Sequence, residues 1–128
     1  MSEHNDQCAL FTWAGLASAA MPELRILTAS ANGGHRHIAV AAKLKASGVK
    51  AGYPDITLNV ARHGYHGLFI ELKFGKGRVS ESQKWWHEQL MRQRYLVSVC
   101  YGWQAAKQVI VAYLGDGIII EQNREGVH

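Results

Sequence analysis

The chain has 128 residues, 48% of them apolar, with 14 Lys and Arg against 10 Asp and Glu, a formal net charge of +4. That length and composition predict one domain able to bury its own core and exclude an intrinsically disordered chain. The modest positive charge favours a polyanionic partner without demanding one.

The amino-terminal segment predicts a helix over Glu3 to Ala20, capped by Ser2. Its apolar stripe runs through Leu10, Trp13, Ala14 and Ala17, and its backward extension meets Gln7, Asp6 and Glu3. Glu3 is therefore expected on the core-facing side, one turn beyond the last apolar residue. A first-turn acid that only complements the helix dipole has the same appearance. Pro22 ends this region, and Leu24 to Ala29 is a candidate first strand. The punctuated turn Ala31-Asn32-Gly33-Gly34 leads into a second helix over Arg36 to Ser47. His35, Arg36, His37, Lys43, Lys45 and Lys50 make this the densest positive segment of the chain. It is either a phosphate-contacting surface or a solvated helix face.

The next stretch carries the chemistry. Gly52-Tyr53-Pro54-Asp55 is followed, after fifteen residues, by Glu71-Leu72-Lys73. Asp55 to Ala61 alternates, with Ile56, Leu58 and Val60 on one face and Asp55, Thr57 and Asn59 on the other. His66 to Lys73 alternates likewise, with Phe69, Glu71 and Lys73 sharing a face. Period-two alternation predicts two half-buried strands. A three-residue loop, Arg62-His63-Gly64 with Gly64 left-handed, would set Asp55 opposite Glu71. A two-residue loop, His63-Gly64, would slip the register by one and separate the two acids across the sheet, unless a bulge corrected it. In the first register two carboxylates and a lysine gather on one face. Oxygen ligands of that kind suit a hard cation such as Mg²⁺ or Mn²⁺. The lysine is suited to stabilising charge on a phosphodiester or to deprotonating water.

Beyond the second strand, Phe74 to Val79 is a loop whose glycines permit close approach and whose Lys76 and Arg78 are candidate phosphate contacts. Ser80 caps a helix running to about Tyr95, with Trp86, Leu90 and Gln93 as its expected stripe and Trp85 on the margin. Leu96 to Tyr101 reads as a central strand. Trp103 to Leu114 reads as a helix with Ala106, Val109, Ile110 and Tyr113 on one face. Ile118-Ile119-Ile120 is either an interface strand or an edge strand packed within one subunit.

The cysteines, Cys8 and Cys100, are far apart and form no disulfide framework or metal-spaced pair; Cys100 is expected to be a buried thiol. The histidine pairs His35/His37 and His63/His66 lack further ligands at usual spacing, and imidazole prefers transition metals to Mg²⁺. No apolar stretch has spanning length, and no basic signal region opens the chain, so a cytoplasmic protein without membrane association is expected. No dinucleotide or P-loop fingerprint is present.

The runs Gly48-Val49-Lys50-Ala51-Gly52-Tyr53-Pro54-Asp55 and His66-Gly67-Leu68-Phe69-Ile70-Glu71-Leu72-Lys73 resemble the VRR-NUC domain. That is the virus-type replication-repair nuclease branch of the PD-(D/E)XK superfamily. Ser80 to Trp86, with Gln83, resembles the family's helix after the catalytic strand, and Val99-Cys100-Tyr101-Gly102-Trp103 its next strand and turn. Ala31-Asn32-Gly33-Gly34 and Glu3 to Gln7 resemble its amino-terminal part. The likeness spans about Glu3 to Leu114 and is strongest to the compact stand-alone members of phages and prophages.

The resemblance implies an α/β, restriction-endonuclease-like αβββαβ core with a mixed sheet flanked by helices. It implies divalent-metal-dependent cleavage of DNA, often structure-specific. Stand-alone members resemble homodimeric Holliday-junction resolvases; flap or restriction-like cleavage stays open. By the resemblance, Asp55, Glu71, the Leu72 carbonyl and Glu3 would hold metal, Lys73 would be the catalytic lysine, and Gln83 would stand near the site. A DNA-binding module on the same fold that no longer cuts is the alternative. Its usual sign, a missing acid or lysine, is absent.

Overall fold

The computed structural model describes residues 2–31 and 38–116. Eight elements follow in chain order: α1 (Glu3–Ala17), β1 (Leu27–Ala29), α2 (Ile38–Ala46), β2 (Ile56–Leu58), β3 (Leu68–Lys73), α3 (Glu81–Arg92), β4 (Leu96–Tyr101) and α4 (Trp103–Leu114), with a 3₁₀ turn over Pro22–Ile26 before β1. The strands form one sheet in the order β1-β2-β3-β4. The β1–β2 and β2–β3 pairs are antiparallel, and β3–β4 is parallel. This is the expected mixed α/β fold.

One face of the sheet carries the apolar core. Leu68, Ile70 and Leu72 of β3 meet Leu10 and Ala14 of α1 and Ala106, Val109, Ile110 and Tyr113 of α4, all buried. The α4 stripe is the one its 3.6-residue period predicts. The other face lies under α3. There Phe69 stacks edge-on with Tyr53 and Tyr95, while Glu71 bonds to side chains of α3. Every residue of β3 is buried, because β3 has a strand on each side and helices over both faces. The alternation therefore separates an apolar core from a polar interior, where a half-exposed strand was expected.

Capping explains the helix ends. Ser2 accepts a hydrogen bond from the Asn5 amide. Ser80 and Gln83 form a reciprocal capping box on α3. The amino-terminus of α4 follows Gly102, which has no side chain to cap it. Asp6 of α1, buried, accepts instead from the Trp103 amide at 3.4 Å. A carboxylate there also complements the helix dipole, so the α1 stripe ends in a polar contact with α4.

Several elements depart from expectation. Helix α1 stops at Ala17, and Pro22 opens a 3₁₀ turn, so the first strand shortens to Leu27–Ala29. Proline suits the first turn of a helix, whose amide is unpaired anyway. Strand β4 is the outer strand among the described residues, not a central one. Helix α3 ends at Arg92, and Arg94 takes a left-handed φ of 67°. Its buried position is His87, with Trp86 and Leu90 half-buried and Gln93 exposed. No residue of α2 is buried. His35, Arg36, His37 and Ile118-Ile119-Ile120 lie outside the described residues. Among the described residues no helix is long and apolar enough to cross a membrane.

Candidate metal and phosphodiester site

The hairpin between β2 and β3 decides the site. Its tip is the two-residue loop, His63-Gly64, closed by reciprocal backbone bonds between Arg62 and Tyr65. Both loop residues have positive φ, 55° and 83°, the signature of a type I′ turn. The expected three-residue loop is therefore corrected. The slip that a two-residue loop would cause is absorbed farther down. Between the Arg62–Tyr65 bridge and the Leu58–Leu68 pair, Asn59, Val60 and Ala61 oppose only His66 and Gly67. That extra residue acts as a bulge and restores the register. Ile56 pairs with Ile70, so Asp55 comes opposite Glu71.

The acids are buried, Asp55 8% and Glu71 1% exposed. Asp55 Oδ2 accepts from the Leu72 amide at 2.8 Å, and its own carbonyl accepts from the Ser30 amide beyond β1. Backbone groups of successive strand residues alternate edges. The Lys73 carbonyl is bound by the Gly102 amide on the β4 side. The Leu72 carbonyl consequently points toward the β2 edge, as its amide does.

Helix α3 supplies the rest. Gln83 Oε1 accepts from Lys73 Nζ at 2.9 Å and from the Ser80 amide at 2.8 Å, while Gln83 Nε2 donates to Glu71 Oε2 at 3.2 Å. The capping box thus fixes which way the amide points, and that amide bridges the lysine to the acid. Gly52 allows α3 to come this close. A Cβ on Gly52 would lie 2.6 Å from backbone atoms of Ser82, and its φ of 90° disfavours any other residue. The Gly-Tyr-Pro-Asp run therefore seats α3 as well as presenting Asp55.

Burial, then the hydrogen bond and negative charge of Glu71, push Asp55 up to about 7. Burial also raises Glu71, while its bond with Asp55 and the charge of Lys73 oppose the rise. The two acids titrate as a coupled pair. Glu3 is exposed at the rim. Its carboxyl is raised, first by partial burial and then by Asp55, with Lys73 pulling the other way. The helix stripe thus brings Glu3 within electrostatic reach of all three residues.

His87 was missed by sequence reading. It is 5% exposed, and its Nε2 lies 3.3 Å from Glu71 Oε1. Burial, then the Lys73 charge, lower its pKa. An ionised carboxylate can only accept, so against it the ring donates through a proton on Nε2. The available signal was helical spacing: Gln83 and His87 are four apart and share a face.

The remaining candidates divide. Lys76 and Arg78 are exposed on the loop after Lys73. Tyr101, the register partner of Lys73, donates to the Gly77 carbonyl at 2.8 Å and pins that loop beside the site. Lys43 is exposed on α2, apart from the acids' bonding network. His63 binds the Tyr113 carbonyl at 2.8 Å, and His66 stacks edge-on with Tyr95, so each has a structural partner.

The donor set fits a hard cation. Two buried carboxylates set opposite one another, the charge of Glu71 raising the proton affinity of Asp55, want a positive charge between them, and the Leu72 carbonyl would add an oxygen. Among the described residues no three His, Cys, Asp or Glu side chains converge on one metal position. A cation would therefore rest on the acid pair and backbone, with oxygens of water and phosphate completing its shell.

The model of the VRR-NUC domain family matches residues 3–104. A solved structure described as a VRR_NUC domain protein is 31% identical, covering 88% of this chain and 88% of its own, with a TM-score of 0.73. No curated protein matches the chain. The matched span contains Glu3, Asp55, Glu71, Lys73 and Gln83, and the fold agrees over most of both chains: this protein belongs to the VRR-NUC domain family, a family of nuclease domains.

Proposed function

We propose that the protein is a divalent-metal-dependent DNA endonuclease whose site is Asp55, Glu71 and Lys73. The observation that carries this reading is the buried Asp55–Glu71 pair with Lys73 bridged to it through Gln83. In it, Asp55, Glu71 and the Leu72 carbonyl hold Mg²⁺ or Mn²⁺, with Glu3 at the rim. Such a cation polarises a phosphoryl oxygen and lowers the pKa of bound water. Lys73, oriented by Gln83, takes up charge developing on the phosphoryl group. Lys76 and Arg78 neutralise flanking phosphates from a loop fixed by Tyr101.

The substrate is branched DNA, cut by a homodimer. Family likeness supports this. A two-fold junction suits paired sites related by C₂ symmetry. Recognition then reads DNA shape more than sequence. A cleavage panel in Mg²⁺ or Mn²⁺ tests the reading, with four-way junction, flap, single strand and matched duplex. Cleavage is expected, with the junction cut fastest and sedimentation showing a dimer. Failure to cut any DNA would overturn the function. A monomer cutting duplex as fast as junction would remove only the branched-DNA preference.

A further inference from the structure

We propose that His87 is a positioning residue for Glu71, clamping its carboxylate in the orientation that binds the cation. The proposal rests on the metal-nuclease reading above. Glu71 is 1% exposed, so solvent contributes little to holding it. Each of its oxygens instead receives one donor from α3: Oε2 from Gln83 Nε2 at 3.2 Å, and Oε1 from His87 Nε2 at 3.3 Å.

The two donors stand one helical turn apart on one face, and together they fix the plane of the carboxylate. These two bonds leave acceptor capacity on the carboxylate, which offers about four acceptor sites. The clamp therefore orients the acid without consuming it. Gln83 has two further bonds, to Lys73 and to the Ser80 amide, so its position serves several groups. His87 has a narrower task. Leucine or methionine would fill its buried place beneath α3 at lower desolvation cost, and the bond to Glu71 is what offsets burying an imidazole. Groups that orient a metal ligand in this way commonly change metal affinity by roughly 10–100-fold when removed.

The test measures Mn²⁺ binding by calorimetry on the full chain, alongside the metal dependence of DNA cleavage. Wild type is compared with His87→Leu, His87→Met and His87→Gln. Glutamine places an amide donor near the position of Nε2; leucine and methionine keep the bulk without the donor. Both apolar variants are expected to bind Mn²⁺ about 10-fold or more weakly. Their half-saturating metal concentration should rise by a like factor, while the rate at saturating metal falls less. Glutamine should restore affinity to within about threefold. A purely packing role would give the opposite order, with leucine and methionine the better replacements. Wild-type affinity in a folded apolar variant, or no rescue by glutamine, would overturn the role of His87 alone. Absence of Mn²⁺ binding by wild type would overturn the metal-nuclease reading and this proposal with it.

Discussion

Asp55→Ala and Glu71→Ala should each abolish DNA cleavage while leaving DNA affinity at or above the wild-type level. The two side chains are buried opposite one another and supply the carboxylate oxygens of the candidate cation site. Removing a negative charge beside a polyanion should not weaken its binding. Lys73→Ala should slow cleavage by roughly 10²-fold or more, the scale for losing one preorganised charge stabiliser. Glu3→Gln reports on the rim: a rate unchanged from wild type would leave Glu3 a first-turn helix charge. Single-turnover cleavage and a parallel binding assay in Ca²⁺ separate the two effects. Near wild-type rates in folded Asp55 and Glu71 variants would move the site elsewhere.

The second large effect is on stability and has a definite sign. In the metal-free fold Asp55 is pushed up to about 7, whereas an unfolded aspartate titrates near its ordinary value. A raised folded pKa means the native state holds its proton longer than the unfolded chain does. This contribution is full below about pH 4 and is lost as pH rises through about 7. Asp55→Asn keeps an oxygen to accept from the Leu72 amide but carries no charge. At pH 8, without metal, it should raise stability by on the order of 1–3 kcal/mol. That corresponds to a Tm increase of several degrees in a domain of this size. The gain should shrink toward pH 5 and shrink again when Mn²⁺ neutralises the wild-type pair. Thermal unfolding of both proteins across pH 5 to 8 is the check. An Asp55→Asn protein less stable than wild type at pH 8 would contradict the charge frustration of the pair.

Much of this site was legible in the sequence. Strict alternation from Asp55 and from His66 placed Asp55, Glu71 and Lys73 on one face, and pairing about His63 set the acids opposite one another. The route to that register was not legible. Alternation continues through Asn59 and Val60, where the bulge sits, so nothing in the pattern distinguishes a three-residue turn from a two-residue turn with one residue absorbed later. The stripe of α4 followed from its period, because apolar burial alone fixes it. That of α3 did not, because its inward positions are Gln83 and His87, polar residues set against Glu71. Hydrophobic periodicity cannot register a face whose neighbours are charged. Strand β4 is strongly apolar, with Val97 and Cys100 buried, although it has only β3 beside it among the described residues. Helices on its faces bury those side chains, so composition overstated how central the strand is.

The most direct test is cleavage of a labelled four-way junction by wild-type protein, first with Mg²⁺ or Mn²⁺, then with excess EDTA, then with metal restored. The acid pair predicts cleavage with metal, none in EDTA, and recovery on re-addition, since the buried carboxylates are an oxygen donor set for a hard cation, which would polarise the phosphodiester and activate water. Undiminished cleavage in EDTA would contradict the account.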